Sequence, residues 1–311
     1  MSDSTATALT DRFSAAMRTA QENALSGDEN VLLVGENVGR MGGARGASQG
    51  FLKTFGPHRI IDTPISDSAT VGLAAGLALT GKKVIVELTG PDRLADAWEC
   101  LRLDLANLEE RTKGSFDSTV VIRVPSGPGL GGGRFFEASP EGNLSSIPGL
   151  RVYSPRSGAE AGRMLLEALK MRGPSVLLEA NTLTQTQEKA SDADLSNQGS
   201  VLLREGDDMT LICTGATAPL ALHVHQRCES EGIELEVLHL RSLRPLDQEG
   251  LATSIQKTGR CLLLSASDAF SSHMMGQITT AAFLHLESPP SSTTSTSTED
   301  ILDQIGEILD Y

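Results

Sequence analysis

Short apolar runs that alternate with longer amphipathic segments are the feature that most constrains the fold. The run Val31–Gly35 follows a helical apolar face over residues 11–26, and similar runs lie at 83–88 and 118–124. Uninterrupted apolar runs of this length are typical of strands that are buried on both faces of a parallel sheet. The alternation therefore predicts an α/β fold with a mostly parallel, doubly wound sheet.

The second half of the chain repeats this alternation after a polar segment at residues 181–200, which lacks apolar periodicity. Polar segments of this kind commonly connect two compact units. We therefore expect a first domain at 1–185, a linker at 186–200 and a second domain at 201–311.

Two further segments lead to specific structural expectations. Residues 91–111 carry large apolar side chains along one side, which predicts that this segment is helical. The tract at 288–298 is rich in Ser, Thr and Pro, and this composition predicts a flexible loop.

Charge and cysteine content narrow the possible classes of function. The formal net charge of −14 argues against binding to nucleic acid or to an anionic membrane surface. The first ten residues lack the pattern of a secretory signal, and no apolar run reaches the roughly 20 residues that span a bilayer. The four cysteines are widely spaced without a Cys-x-x-Cys pair, which predicts reduced thiols. Together these features predict a cytoplasmic protein.

Four short blocks carry a resemblance to a known family. They read G-E-N-V at 35–38, R-I-I-D-T-P-I-S-D at 59–67, G-L-A-A-G at 72–76 and R-S-L-R-P-L-D at 241–247. With them the chain resembles the E1 component β subunit of pyruvate and branched-chain 2-oxoacid dehydrogenases, a transketolase-like thiamine-diphosphate family. The resemblance implies a pyrimidine-binding, doubly wound parallel-sheet domain followed by a transketolase-type C-terminal α/β domain.

The resemblance also implies a cofactor that two chains share. The pyrimidine ring of thiamine diphosphate lies on the β chain, and an α chain holds the Mg²⁺-diphosphate through a Gly-Asp-Gly motif. That motif is missing here. We therefore expect no metal ligand from this chain and an E1α-like partner in an α2β2 heterotetramer.

The implied reaction acts on a 2-oxo acid or a ketose-like donor. It decarboxylates the donor, or it cleaves or forms a carbon–carbon bond. A role in specialised biosynthesis is one expectation for such an enzyme. The alternative is a non-catalytic E1β-like subunit that scaffolds or regulates an active α chain.

Residue by residue, the resemblance assigns Glu36, Ile65, Asp67, Thr89 and Gly90 to cofactor binding. Asp67 stands where the family has the Glu that contacts the pyrimidine nitrogen, and it is also the expected catalytic carboxyl. Its side chain is one methylene shorter, which reduces its reach by roughly 1.5 Å. The alternative for Asp67 is a helix N-cap, a common position for Asp.

Two family features are absent. The aromatic residue that packs on the pyrimidine is missing from the stretch Glu87-Leu88-Thr89-Gly90, which aligns only with a one-residue gap. Counting onward from Arg123 places Phe136 at the position of the family's active-site His. A buried Phe136 would make the pocket drier and would strengthen electrostatic interactions in it. The alternative is that Phe136 is core packing on a loop that has moved away from the site.

Overall fold

The computed structural model describes residues 12–128, 133–185 and 199–310. The linker expected at 186–200 lies almost entirely outside these residues. The described residues form two α/β units, each built on a mostly parallel sheet.

The first unit contains six strands that run parallel to one another. They are β1 (Val31–Gly35), β2 (Ile60–Asp62), β3 (Lys83–Glu87), β4 (Val120–Ser126), β5 (Arg151–Tyr153) and β6 (Ser175–Ala180). Its helices are α1 (Arg12–Gly27), α2 (Phe51–Phe55), α3 (Asp67–Leu79), α4 (Leu108–Arg111), α5 (Glu141–Ser145) and α6 (Gly158–Ala168). The apolar runs of β1 and β4 are buried along their whole length, as expected for strands covered on both faces.

The second unit follows the same plan on a smaller sheet. Its strands are β7 (Ser200–Arg204), β8 (Met209–Cys213), β9 (Leu235–Leu240), β10 (Ser242–Arg244), β11 (Cys261–Leu264) and β12 (Ser291–Thr293). Its helices are α7 (Ala218–Ser230), α8 (Gln248–Thr258), α9 (Asp268–Ala282) and α10 (Thr298–Leu309). The order in this sheet is β12-β11-β8-β9-β7, and β7 is the antiparallel edge strand.

Strand β10 leaves its own unit and completes the first sheet. It pairs antiparallel with β5 and gives the order β10-β5-β6-β4-β3-β1-β2. The R-S-L-R-P-L-D block therefore joins the two units. Its Arg241 is buried and pairs with Glu160 on α6, its Arg244 donates to the Ser145 carbonyl at 3.1 Å, and its Asp247 caps α8.

One expectation from the sequence is confirmed in part, and another is wrong. Most of residues 91–111 is helical, as predicted, but the helix type changes along the segment. It contains a 3₁₀ helix (Leu94–Ala97), a π-helix (Cys100–Leu105), in which the Ala106 N–H donates to the Leu101 carbonyl, and α4. The tract at 288–298 is ordered rather than a free loop. Its β-branched and hydroxyl residues form β12 beside β11, and Ser297 caps α10.

Two smaller expectations concern thiols and membranes. All four cysteines are free thiols, as predicted. In the described part of the chain, every helix is too short or too polar to cross a membrane.

A buried ionic network ties the first sheet together. Arg123 on β4 donates to both oxygens of Glu179 on β6, at 2.6 and 2.9 Å, and to Glu87 on β3 at 2.5 Å. It also donates to Gln21 on α1 at 3.1 Å. Burial raises the pKa of Glu87, and the Arg123 charge opposes that rise. The other Glu87 oxygen accepts the Ala44 N–H at 2.5 Å, so the network also holds the loop after β1.

We expect Arg123→Met to lower the free energy of unfolding by about 3–5 kcal/mol, because it leaves two buried carboxylates without their cation. Urea denaturation measures this loss. The control is Arg163→Met on the exposed face of α6, which should change stability by no more than about 0.5 kcal/mol. A loss below about 1 kcal/mol for Arg123→Met would show that the network does not hold the sheet.

Candidate functional site

The predicted site residues lie at the carboxyl ends of three neighbouring strands. Glu36 directly follows β1, Asp67 follows the turn after β2, and Thr89 lies two residues beyond β3. Because β3, β1 and β2 are adjacent and parallel, these ends meet at one edge of the sheet. This edge is where ligands bind in open α/β sheets.

Arg93 joins the three residues into one cluster. Its Nη2 donates to Glu36 Oε1 at 2.9 Å and to Thr89 Oγ1 at 2.7 Å. The same nitrogen lies 3.8 Å from Asp67 Oδ1, an ion-pair distance without a hydrogen bond. The geometry therefore gathers two carboxyls and a hydroxyl around one guanidinium.

Asp67 is a buried carboxyl at the base of the cluster. It is the first residue of α3 and is only 2% exposed. The cap of this helix is Ser66, whose hydroxyl accepts the Ala69 N–H at 3.2 Å. The alternative assignment of Asp67 as the cap is therefore wrong, because the preceding residue already satisfies the helix N-terminus. Asp67 Oδ2 is buried and has no hydrogen-bond partner among the described residues.

The surroundings of Asp67 favour its neutral form. Burial raises the pKa of Asp67 to about 6, and the nearby Arg93 charge opposes this rise. The carboxylates of Glu36, Asp92 and Asp96 raise the pKa further. A carboxyl with a pKa near 6 exchanges its proton readily close to neutral pH, which suits a general acid or base.

Residues next to β1 and β2 shape the backbone around the cluster. Asp62 accepts the Gly39 N–H at 2.6 Å and so fixes the turn after Glu36. Gly43, with φ +68°, passes so close to the Glu87 carboxylate that a Cβ there would overlap it. Arg59 donates to the backbone carbonyls of Leu25, Asp28 and Val31, so it has a structural role.

Ile65 and Phe136 lie outside the buried cluster. The Ile65 side chain is 74% exposed, so within this chain it does not enclose the site. Phe136 is 46% exposed, and the expectations of a buried phenyl ring or of core packing are wrong for the chain on its own. The reason is that Phe136 lies in a turn, and residues 133–136 around it are all exposed.

Phe136 nevertheless lies beside a predicted site residue. Its Cδ1 is 4.0 Å from the position that a Cβ on Gly90 would occupy. Gly90 is buried and has no side chain of its own to fill this space. The ring of Phe136 therefore contacts the place where the sequence lacks an aromatic residue.

Sequence reasoning missed Arg93, Asp92 and Asp96. The sequence could have pointed to Arg93 as a site residue through its position, four residues after Thr89 and beyond the end of a predicted buried strand. Ligand-contacting side chains concentrate in such loops. The expectation that residues 91–111 are helical concealed the turn at 91–93, which carries Arg93.

Comparisons with known proteins agree on one family. The family described as transketolase, pyrimidine binding domain, matches residues 12–187, and the transketolase C-terminal domain matches residues 199–303. The chain is 32% identical over 280 residues to the pyruvate dehydrogenase E1 component subunit beta of Bacillus subtilis, covering 88% of this chain and 86% of that protein. It is 31% identical over 253 residues to the 2-oxoisovalerate dehydrogenase subunit beta of the same organism, covering 80% and 77%.

The fold is also found in a solved structure, a split gene transketolase described as an inactive beta4 tetramer. That structure matches with a TM-score of 0.77 and 18% sequence identity, over 96% of this chain and 98% of the other. At this identity the likeness concerns the fold alone.

The raised pKa of Asp67 leads to a prediction about stability and pH. In the unfolded chain its carboxyl ionises near pH 3.8, and in the folded chain near pH 6. Between these values the unfolded state loses its proton first, so the wild-type protein loses stability as the pH rises. We expect the stability advantage of Asp67→Asn over wild type to grow by roughly 2 kcal/mol from pH 4 to pH 7, since one pKa unit corresponds to about 1.4 kcal/mol.

Urea denaturation of both proteins at pH 4, 5, 6 and 7 measures this difference. Asp303→Asn on α10 is the control for the removal of an exposed carboxyl. A stability difference between Asp67→Asn and wild type that does not change with pH would contradict the prediction.

Proposed function

Because this chain belongs to the transketolase-like thiamine-diphosphate family that includes the E1 β subunits of 2-oxoacid dehydrogenases, we propose that it is the pyrimidine-contacting subunit of a two-chain enzyme. The observation that carries the proposal is the buried carboxyl of Asp67, whose Oδ2 is unpaired and whose pKa lies near 6. The domain boundaries at 1–185 and 201–311 are part of the same proposal.

The described residues suit the aminopyrimidine half of thiamine diphosphate. A ring nitrogen requires a carboxyl that can share a proton, and Asp67 supplies one without a competing hydrogen bond at Oδ2. An aromatic surface is supplied by Phe136, which contacts Gly90 from a different loop. Glu36, Thr89 and the exposed Ile65 complete the proposed cofactor-binding set.

Each residue has a distinct proposed role. Thiamine diphosphate, when bound, supplies the electron sink for chemistry at a carbon next to a carbonyl. Asp67 holds and returns a proton at Oδ2, and burial keeps its pKa close to the working pH. Arg93 fixes the position of Glu36 through the 2.9 Å contact. Phe136 excludes water from the edge of the site.

A partner chain is required by this arrangement. The sequence lacks the Gly-Asp-Gly motif, so we propose that an E1α-like chain holds Mg²⁺ and the diphosphate. Three exposed apolar side chains lie within a few residues of predicted site residues in the sequence, namely Met41, Ile65 and Phe135. Exposed apolar groups of this kind suit an obligate interface, and such interfaces commonly exceed about 2,000 Å². We propose an α2β2 heterotetramer that acts on a 2-oxo acid or ketose-like donor by decarboxylation, cleavage or carboligation.

One observation favours a second candidate function. The cluster of Glu36, Asp67, Thr89 and Arg93 contains no histidine, the exposed His58 is the only histidine before residue 223, and Arg93 already engages Glu36. A chain that only scaffolds or regulates an active α chain would tolerate both features. The unpaired Asp67 oxygen opposes this alternative, because a scaffold has no use for a costly buried carboxyl.

Reconstitution with the Gly-Asp-Gly-containing partner tests the proposal. We expect the complex to bind thiamine diphosphate and to turn over. Asp67→Asn should slow turnover by about 10²-fold or more without changing assembly, because an amide cannot relay the proton. Asp67→Glu, which restores the side chain typical of the family, should retain activity. Equal turnover by wild type and Asp67→Asn would support the scaffolding role instead.

Removal of the Phe136 ring should weaken cofactor binding. An aromatic contact of this kind contributes about 0.5–1.5 kcal/mol beyond its buried area, so we expect thiamine diphosphate to bind up to about tenfold more weakly to Phe136→Ala. Phe136→Tyr keeps the ring and should bind normally. The matched control is Phe116→Ala, since Phe116 is 47% exposed and precedes β4, at the end of the sheet opposite the cluster. Equal losses for both alanine variants would show that Phe136 does not contact the cofactor.

A further inference from the structure

A cavity of about 370 Å³ lies at one edge of the second sheet. Asp268, Ser271, Ser272 and Met275 of α9 line one side of it, and residues 292–294 at the end of β12 line the other. Helix α9 begins four residues after the end of β11, and β11 and β12 are parallel. The cavity therefore lies outside the carboxyl ends of two strands, which is where ligands bind in open α/β sheets.

The hydroxyl of Ser271 lies at this cavity without a partner. The residue is only 7% exposed, and its Oγ makes no hydrogen bond to the residues that the structure describes. Other hydroxyls of α9 behave differently, because those of Ser272, Thr279 and Thr280 each donate to the carbonyl four residues earlier, at 3.0, 2.8 and 2.9 Å. A buried hydroxyl that lacks a partner costs free energy. Its position in the wall of a cavity points to a ligand that would pair with it.

The fold holds the walls of the cavity in place. On one side, Gly142 of α5 lies so close to the backbone of Ala269 and Phe270 that a Cβ there would overlap it. Ser267 caps the same turn of α9 by accepting the Phe270 N–H at 3.4 Å. On the other side, every residue of β12 pairs with β11. A ligand would therefore meet a site that needs little ordering.

The lining offers both donors and acceptors of hydrogen bonds. An ionised carboxylate such as that of Asp268 only accepts, whereas a hydroxyl can donate and accept. Ser272 uses its hydrogen on the Asp268 carbonyl and keeps its lone pairs, and Thr293 Oγ1 accepts the Ser295 N–H at 3.2 Å and keeps its hydrogen. Ser271 keeps both. A ligand that matches this lining needs groups that themselves donate and accept, and hydroxyl groups do so.

Charge and size exclude other small ligands. Among the described residues that line the cavity there is no lysine, arginine or histidine, and the Asp268 carboxylate would repel an anion. A protonated amine donates only and would leave the hydroxyl hydrogens unused. A metal ion needs oxygen ligands within about 2.0–2.6 Å, whereas this cavity has the volume of a small organic molecule. An apolar ligand would leave the polar groups unpaired.

We propose that this cavity binds a small neutral polyhydroxyl compound, of the size of a sugar or a sugar alcohol. Ser271 would pair with a ligand hydroxyl at the bottom of the cavity, Asp268 would accept from a second, and Thr293 would donate to a third. The cavity belongs to the second unit, whereas the cluster around Asp67 belongs to the first. The inference therefore goes beyond the proposed function and does not depend on it.

The experiment uses Met275 as a reporter, because this residue lines the cavity. The full chain, isotope-labelled at the methionine methyl groups, is titrated with xylitol and observed by NMR. Met275→Leu and Met41→Leu identify the two signals that matter. Met41 is exposed on the loop after β1 and reports effects that do not depend on the cavity. Methylammonium and inorganic phosphate are titrated in the same way as cationic and anionic probes.

We expect xylitol to shift the Met275 signal saturably and to leave the Met41 signal unchanged. Ser271→Ala should bind xylitol about tenfold more weakly, because it removes a buried hydrogen-bonding group. Thr280→Ala removes an exposed hydroxyl from the same helix outside the cavity and should bind like wild type. Ser272→Leu fills the cavity from an exposed position and should abolish the shift in a folded protein, so it decides the question if Ser271→Ala does not fold.

Three results would overturn the inference. The first is a Met275 signal that xylitol does not shift in wild type. The second is an unchanged affinity for xylitol in folded Ser271→Ala and Ser272→Leu. The third is a shift that methylammonium or phosphate produces at a lower concentration than xylitol. None of these results bears on the proposed function, whose test uses the reconstituted complex.

Discussion

Arg123 lies between two buried carboxylates, and the geometry of the site depends on this contact. A charge removed from water needs partners on every side, so Arg123 fixes Glu87 on β3 and Glu179 on β6 relative to β4. Glu87 is the last residue of β3 and holds the Ala44 N–H of the loop after β1. Two segments lead into the cluster, the end of β3 before Thr89 and the loop after Glu36. The buried guanidinium of Arg123 therefore fixes the position of both segments.

A second arginine performs a different task at the edge of the same sheet. Arg123 directs its donors to buried partners and is almost inaccessible. Arg93 engages Glu36 and Thr89 through one nitrogen and stays partly exposed. The difference follows from depth, since a fully buried cation must be satisfied within the chain, whereas a cation at the sheet edge also contacts water.

The departures from the family pattern are connected in space. Gly90 lies in the stretch where the expected aromatic residue is absent, and Phe136 brings a ring from another loop to within 4.0 Å of the position of a Gly90 Cβ. Asp67 carries a buried carboxyl, and burial raises its pKa to about 6. The chain therefore places a buried acidic group and an aromatic ring at this edge of the sheet.

The sequence by itself determined the α/β class, the parallel strands and the strand ends that carry Glu36, Asp67 and Thr89, because apolar periodicity reports burial directly. Only the tertiary structure decided which of these ends meet. Arg93 and Glu36 are 57 residues apart and touch because β3 lies beside β1. The tertiary structure also decided that β10 pairs with β5 and that Ser291–Thr293 pairs with β11, because each pair joins segments that are distant in the sequence. Periodicity encodes which face of a segment is buried, but the neighbour that buries it is fixed by the packing of the whole chain.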